Sequence, residues 1–257
     1  MYVGFARMYD AFMKDVPYDN WASYINKILK GQKCILDLAC GTGNMTLRLA
    51  QMGYDMIGVD VSEDMLAEAQ QKAFEAQNKK VASPLCRVWG STPINKKQIL
   101  FLAQDMRHLD LYGTVDGVVC VCDALNYILS SLELLQVFKR VRLFLNTHGV
   151  FIFDINTEYK YNELLANYSF EAKNQANESY IWQNNFNPKT KINEYKVLFK
   201  PQGWEKPFME IHHQKAYSIS EITKLLKETG FSDIQVKDNY TNNDAHEKTE
   251  RATFIVK

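Results

Sequence analysis

The sequence lacks a long apolar run, a net charge and a recognisable signal segment. No apolar stretch reaches the roughly 18 residues that a membrane-spanning helix needs. The opening MYVGFARMYDAFMKDV does not show the basic-then-apolar order of a secretory signal. We therefore expect a cytoplasmic protein without a membrane segment. Thirty basic residues balance thirty acidic ones, so there is no strong signature of nucleic-acid binding either.

Cysteine spacing of the metal-binding kind is also lacking. The number of cysteines is odd, and neither a C-x2-C pair nor a companion histidine spacing occurs. The five are Cys34, Cys40, Cys86, Cys120 and Cys122. We interpret them as buried thiols and expect no metal site, with a redox or metal role as the alternative.

What the sequence does contain, up to residue 156, is an alternation of apolar runs and helical patterns. Predicted strands cover 33–38, 54–59, 99–104, 115–121 and 150–155. Predicted helices cover 5–14, 18–30 and 44–52. A fourth is predicted to start after the N-cap Ser62, and a fifth carries Leu134, Phe138, Val141 and Leu145 on one stripe. This alternation predicts an α/β fold whose parallel sheet carries helices on both faces.

The pattern changes after residue 156. Three segments, 176–186, 192–200 and 207–217, are rich in aromatic residues and are separated by turn signals, which is typical of an antiparallel meander. A helix over 220–229 and strands over 231–237 and 251–256 follow. We expect a core of residues 1–156 and 218–257, with 157–217 inserted as a small antiparallel β subdomain that covers the substrate. The polar stretch 79–97 is interpreted as a surface excursion without chemistry.

A glycine turn follows the first predicted strand directly and opens a helix. In DLACGTGN, Gly41 and Gly43 let the backbone turn sharply and pass close to a ligand, while the helix N-terminus presents free N–H groups. Asp60 ends the second strand, where a carboxylate can accept both hydroxyls of a ribose. These features predict a nucleotide-like ligand and are common to nicotinamide and methyl-donor folds.

Three further features favour a methyl donor. A dinucleotide site wants a third small residue at position 46, where Thr46 stands. Asp37, just before the turn, would oppose a pyrophosphate but suit the ammonium group of a methionyl tail. Gln104, Asp105 and Met106 end the third strand, where an acid can accept from an adenine amino group.

On these segments the chain resembles the class I S-adenosylmethionine (SAM)-dependent methyltransferases, from about residue 5 to its end. ILDLACGTGNMTLRLA is similar to the family's first motif, with Ala39 in place of its usual first glycine. GVDVSEDML, FLAQDMRHLD and VDGVVCVCDALNYI resemble the second, third and fourth motifs. The opening FARMYDAFMKDVPYDNW and the β insertion after the fifth strand resemble a small-molecule branch whose members mostly have no assigned acceptor. The resemblance implies a Rossmann-like, seven-stranded, mostly parallel sheet.

The resemblance also implies a SAM site built from residues that follow the strands. The implied cofactor residues are Tyr9, Asp37, Ala39, Gly41, Gly43, Asp60, Val61, Met65, Gln104, Asp105, Met106 and Cys122. Asp60 would bind the ribose, Asp105 and Met106 would hold the adenine, and Met65 would cover its other side. Tyr9 would close over the cofactor.

Each of these roles has a structural alternative. Asp60 can be a solvated strand end or a partner to Ser62, and Asp105 can cap a turn. Met65 and Tyr9 can be packing residues. Asp37 can pin the loop by accepting hydrogen bonds from backbone N–H groups.

Candidate acceptor-orienting residues follow the fourth strand and occur in the insertion. Asp123, Asn126 and Tyr127 stand where methylases of nucleic-acid amines carry [DN]-P-P-[YF], and the two prolines are absent here. His212, with Gln214, is similar to an H-x-Q found in this branch and is a candidate base or hydrogen-bond donor. Asn126 as a helix cap and His212 as a structural residue are the alternatives.

The sequence therefore predicts methyl transfer to N or O of a small-molecule acceptor by direct displacement. The alternative hypotheses are an RNA or protein acceptor, a non-catalytic SAM-binding protein, and a nicotinamide-dependent oxidoreductase. The acceptor and the oligomeric state are not predicted.

Overall fold

The computed structural model describes residues 6, 9–10, 13–78, 99–166, 168–173, 179–200 and 207–257. Its larger sheet has seven strands: β1 Cys34–Leu38, β2 Asp55–Asp60, β3 Leu100–Ala103, β4 Val115–Cys120, β5 Leu145–Asn156, β10 Ile234–Asp238 and β11 Arg251–Val256. Their order is β10-β11-β5-β4-β1-β2-β3. The pairs β1–β2, β1–β4, β2–β3 and β4–β5 are parallel, which confirms the predicted sheet.

Five helices accompany this sheet in the described part of the chain: α1 Tyr18–Ile28, α2 Asn44–Gln51, α3 Glu63–Asn78, α4 Ser131–Phe144 and α5 Ile219–Glu228. Ser62 caps α3 as predicted, since its hydroxyl accepts from the Met65 N–H. The stripe on α4 is confirmed for Leu134, Phe138 and Val141, which are fully buried. Leu145 was predicted to continue it, but the helix ends at Phe144 and Leu145 begins β5.

The register brings the carboxyl ends of three parallel strands to one edge of the sheet. Leu38 of β1 is paired with Val59 of β2, and Asp60 is paired with Ala103 of β3. The central strands are buried along most of their length, as expected for a parallel sheet covered on both faces. The loops after β1, β2 and β3 therefore leave the sheet side by side.

A separate four-stranded antiparallel sheet lies within the later half of the chain. Its strands are β6 Ser169–Lys173, β7 Ser179–Asn187, β8 Ile192–Lys200 and β9 Phe208–Lys215, in chain order. The sequence predicted three strands here, and the structure has four. β6 was missed because it is short and carries two charged residues among five, so it has no strong β pattern.

The chain divides into two compact units. The first comprises Met1–Val121, Lys139–Phe153 and Val256–Lys257, and the second comprises Cys122–Phe138 and Asp154–Ile255. The predicted stretch 79–97 and half of the predicted opening helix 5–14 lie outside the described residues. None of the described helices combines the length and the apolar character that a membrane span requires.

The described cysteines form no disulfide. Cys40 and Cys120 are buried, as predicted, whereas Cys34 and Cys122 are only half-buried. Cys86 lies outside the described residues.

Candidate active site

In the first unit, the loop between β1 and α2 has an unusual backbone. Ala39, Gly41 and Gly43 have φ angles of 60°, 53° and 77°, in the left-handed region that glycine adopts without steric cost. A Cβ atom at Gly43 would lie 3.1 Å from the Cβ of Ala69 in α3. The left-handed turn favours glycine at both positions, and the close approach of α3 favours it further at Gly43. The Cys40 N–H donates to the Val59 carbonyl at 2.9 Å and fastens the loop to β2.

Asp37 is buried at the end of β1, directly before this loop. Its Oδ2 accepts from the Thr46 hydroxyl at 2.5 Å, which explains why position 46 carries a hydroxyl. Its Oδ1 is buried and finds no hydrogen-bond partner among the described residues. Burial raises the pKa of Asp37 to about 7. A buried carboxylate with one unused oxygen fits a cationic ligand group such as the ammonium of SAM.

Asp60 lies at the end of β2 and joins two loops. Its Oδ2 accepts from the Gly41 N–H at 2.7 Å, and its Oδ1 accepts from the Ser62 N–H at 2.9 Å. Burial raises its pKa, and these backbone hydrogen bonds oppose that shift. The predicted partnership with Ser62 is therefore present. The same carboxylate also orders the loop 39–43 between β1 and α2, the glycine loop. Next to it, the side chain of Val61 is 69% exposed, which is high for an apolar residue at a strand end.

The residues after β3 form a tight turn. Asp105 accepts from the backbone N–H of Arg107 at 2.8 Å and forms an ion pair with its guanidinium. The hydrogen bond with the Arg107 side chain is the main reason that the pKa of Asp105 lies below its usual range. Gln104 both accepts from and donates to the backbone of Asp110. Asp105 therefore caps this turn, as the structural alternative predicted, and Met106 beside it is half-buried.

The remaining predicted cofactor residues of this unit are also described. Met65 is buried on α3. Tyr9 is half-buried, and its carbonyl accepts from the Met13 N–H at 2.9 Å.

In the second unit, the turn after β4 has two successive non-glycine residues in the left-handed region. Cys122 and Asp123 have φ angles of 61° and 52°. Their N–H groups donate to the carboxylate of Asp154, at 2.9 and 2.7 Å. Asp154 is completely buried and also accepts from the hydroxyl of Tyr240 and the guanidinium of Arg251. These contacts stabilise a backbone conformation that costs energy by itself.

Asp123 is the centre of a polar cluster in the second unit. Its Oδ1 accepts from Arg251 Nη2 at 2.8 Å, and its Oδ2 accepts from Gln214 Nε2 at 2.7 Å. Gln214 is buried, and its Oε1 accepts from the hydroxyl of Tyr161 at 2.9 Å. The structure therefore brings Asp123 of the β4 turn and Gln214 of β9 together. The side-chain amide of Gln214 therefore has its hydrogen-bond partners within the protein.

Asn126 is completely buried, and its side-chain amide serves the backbone on both sides. Its Nδ2 donates to the carbonyls of Asn156 and Lys215, and its Oδ1 accepts from the Asn156 N–H. The amide group thus ties the end of β5 to the end of β9.

Tyr127 and His212 lie together at the end of an aromatic stack. The rings of Trp182, Tyr195 and His212 stack with centroid separations of 4.5 and 4.7 Å. The Tyr127 hydroxyl contacts that of Tyr195, and Tyr127 is 42% exposed. Burial lowers the pKa of His212 to about 4, with a smaller contribution from His213. His213 is exposed, as predicted, and its Nε2 lies 3.1 Å from a Glu194 carboxylate oxygen.

The sequence reasoning missed Asp154, Arg251, Tyr240 and Tyr161. Arg251 was included only as the first residue of a predicted strand. A buried strand that begins with arginine is an available signal, since a buried charge needs a partner. The sequence does not show which acid that partner is.

Comparison with known proteins assigns the family. Residues 35–83 match the family model described as a methyltransferase domain. The chain is similar to YqeM of Bacillus subtilis (strain 168), which is named as a candidate methyltransferase: the two are 33% identical over 258 residues, covering 99% of this chain and 96% of the relative. A SAM-dependent methyltransferase from Clostridium acetobutylicum ATCC 824 is 32% identical, with a TM-score of 0.79 and coverage of 98% and 97%.

A more distant neighbour shares the fold. The sugar N-methyltransferase KedS8 from Streptoalloteichus sp ATCC 53650 is 16% identical, with a TM-score of 0.71 and coverage of 96% and 92%. The nicotinamide alternative is set aside, because the matching family model describes a methyltransferase domain and the C. acetobutylicum structure is a SAM-dependent methyltransferase. This chain belongs to the class I SAM-dependent methyltransferases.

Proposed function

We propose that this methyltransferase acts in the cytoplasm and methylates a nitrogen or oxygen of a small-molecule acceptor. The observation that supports this most is that Asp123, Tyr127 and His212 occur within one unit, which supplies a carboxylate, a partly exposed tyrosine and a neutral histidine. Such a set suits the orientation of one amine or hydroxyl. KedS8, which shares the fold, is a sugar N-methyltransferase, and its acceptor is of the same small, polar kind.

Within the cofactor site, we propose that Asp37 binds the methionyl ammonium through its unused oxygen and that Asp60 binds the ribose. Ala39, Gly41 and Gly43 keep the loop backbone close to the methionyl part. Val61, Met65, Gln104, Asp105, Met106, Tyr9 and Cys122 complete the proposed cofactor contacts. Because Arg107 already neutralises the Asp105 carboxylate, we expect Asp105 to accept a single hydrogen bond from the adenine amino group.

When bound, SAM would supply a methyl group on a sulfonium sulfur, and the acceptor would bond to the methyl carbon as the carbon–sulfur bond breaks. The chain has to orient that nucleophile, exclude water and accept a proton where one is released. We propose that Asp123 and Tyr127 contact the acceptor. Asn126 positions the turn that carries them, since its amide is used by the backbone.

His212 is proposed as a neutral hydrogen-bond partner of the acceptor. Its pKa of about 4 keeps the imidazole uncharged at neutral pH, so it does not repel a protonated amine. The same low pKa makes it a weak base. The chemistry therefore depends mainly on orientation rather than on strong general-base catalysis.

The test is methyl transfer from labelled SAM to a panel of acceptors. The panel contains amino sugars, small amines, hydroxylated small molecules, bulk RNA and a protein mixture. Transfer to a small amine or alcohol, reduced by Asp123→Asn or Tyr127→Phe, supports the proposal. Transfer confined to RNA or protein, or the absence of transfer to any member despite tight SAM binding, contradicts it.

A further inference from the structure

Asp10 lies at the centre of a polar cluster to which the sequence assigned no role. One carboxylate oxygen, Oδ1, accepts from the Thr42 hydroxyl at 2.6 Å and from the Asn44 side-chain amide at 2.8 Å. The other oxygen, Oδ2, accepts from the Lys72 ammonium at 2.7 Å. These contacts join the opening segment of the chain to the glycine loop, to the start of α2 and to α3.

The cluster is partly shielded from water, since the side chains of Lys72 and Asp10 are 19% and 39% exposed. Thr42 and Asn44 are buried, and the Lys72 ammonium also lies 3.3 Å from Asn44 Oδ1. Burial lowers the pKa of Lys72, and the neighbouring Asp10 carboxylate opposes that shift. Charge-assisted hydrogen bonds in such surroundings are stronger than those between neutral groups. The Asp10 carboxylate is therefore partly exposed, but both of its oxygens are used by groups of the loop and the two helices.

The glycine loop is consequently held from two directions. Asp60 accepts from the N–H of Gly41, and Asp10 accepts from the side chain of the next residue, Thr42. Glycines at two of the loop's left-handed positions give it more conformational freedom than other residues would. Contacts that fix Thr42 and Asn44 select one conformation from that freedom.

We propose that Asp10 is a positioning residue of the cofactor site, which holds the loop 39–43 in its binding conformation before SAM arrives. The proposal rests on the proposed cofactor contacts of that loop. Pre-organisation increases affinity because less conformational freedom is lost on binding. Removal of the Asp10 anchor then weakens cofactor binding although Asp10 itself is not required to contact the cofactor.

The experiment measures the affinity of the full-length protein for S-adenosylhomocysteine by calorimetry. Asp10→Ala removes all three contacts, and Thr42→Val removes one hydroxyl while keeping the side-chain size. We expect about a tenfold loss of affinity for Asp10→Ala and a smaller loss for Thr42→Val. The losses should be less than additive in the double variant, because both changes remove the Asp10–Thr42 hydrogen bond, while Thr42→Val also removes the one that its hydroxyl accepts from the Asn44 amide at 3.2 Å.

A second variant separates loop positioning from charge neutralisation. Asp10→Ala leaves the partly buried Lys72 ammonium without its carboxylate, which lowers stability. Adding Lys72→Met removes that charge and should restore the melting temperature, while the affinity stays low. Recovery of affinity in Asp10→Ala/Lys72→Met would show that Asp10 serves only to neutralise Lys72, and it would overturn the proposal.

Asp19→Ala is the matched control. Asp19 also pairs with a basic residue of the helix after the loop, since its carboxylate lies 2.6 Å from Arg48 Nε. The Asp19→Ala variant should bind S-adenosylhomocysteine as tightly as the wild type. Wild-type affinity in Asp10→Ala, with weak binding in Asp60→Ala, overturns the Asp10 role and leaves the cofactor site standing. Wild-type affinity in Asp60→Ala instead overturns the proposed ribose contact.

Discussion

The hydroxyl of Thr46 donates to one carboxylate oxygen of Asp37 at 2.5 Å, and the other oxygen is left without a partner among the described residues. Because Asp37 is buried, its pKa rises to about 7. The free protein therefore holds a mixture of protonated and ionised Asp37 near neutral pH. A bound ammonium favours the ionised form and lowers that pKa.

Binding of S-adenosylhomocysteine should therefore release a proton below pH 7. Close to one proton should leave per ligand bound near pH 6, and almost none near pH 8, where Asp37 is already ionised. Affinity should accordingly increase with pH across this range. Calorimetry in buffers of different ionisation enthalpy counts the protons directly. Asp37→Asn still accepts from Thr46 but carries no proton to release, so it should abolish the effect. Release that persists in Asp37→Asn would assign it to another group.

Asp60→Ala should weaken SAM binding by roughly 1.5–3 kcal/mol for each charge-assisted hydrogen bond to the ribose. The carboxylate also accepts from two backbone N–H groups, so some stability is lost as well. Asp116→Ala is the matched control, because Asp116 accepts from the N–H groups of Lys33 and Cys34 at the opposite end of β1. If the melting temperature and the SAM affinity decrease equally in the two variants, the ribose assignment fails.

His212→Gln should reduce kcat about tenfold on an identified acceptor, through the loss of one hydrogen bond, while SAM affinity is unchanged. A His pKa lowered to about 4 means that the ring stays neutral above pH 5. The rate between pH 5.5 and 9 should therefore show no step from His212, and the profiles of wild type and variant should be parallel. His213→Gln is the control, because that side chain is exposed. Equal rates for His212→Gln and wild type would make His212 structural.

Arg251→Met should destabilise the protein by roughly 3–5 kcal/mol, because it leaves Asp123 and Asp154 in the interior without their cation. The melting temperature should fall by about 10 °C for a chain of this size. Arg48→Met is a suitable control, since both arginine side chains are 13% exposed but the partner of Arg48, Asp19, is 77% exposed. Similar melting temperatures for the two variants would contradict a strong buried pair.

The sequence predicts those parts of the fold and site that depend on neighbours along the chain. Gly41 and Gly43 follow the buried strand β1, Asp60 ends β2 and Asp105 follows β3, so their common edge is predictable from the parallel topology. The start of α3 was predictable because Ser62 is a local cap. Such features depend on a few adjacent residues.

Contacts across long stretches of sequence were not predictable in the same way. Asp154 and Arg251 are 97 residues apart, and Asp10 and Lys72 are 62 apart. An aspartate near the start of the chain and a lysine on a helix are common in any sequence, and only folding pairs them. For Asn126 the residue was identified, but the buried backbone contacts of its amide depend on β5 and β9.

The Asp123–Arg251 pair also sets an order of events during synthesis. The two residues are 128 positions apart, and chains emerge from the ribosome from the N-terminus onward. The left-handed turn at Cys122 and Asp123 must wait for nearly the whole chain before its guanidinium partner exists. A nascent or prematurely terminated chain that stops before Arg251 contains every proposed contact of the cofactor loop but an incomplete acceptor cluster. The proposed acceptor cluster is thus complete only once Arg251 has been synthesised.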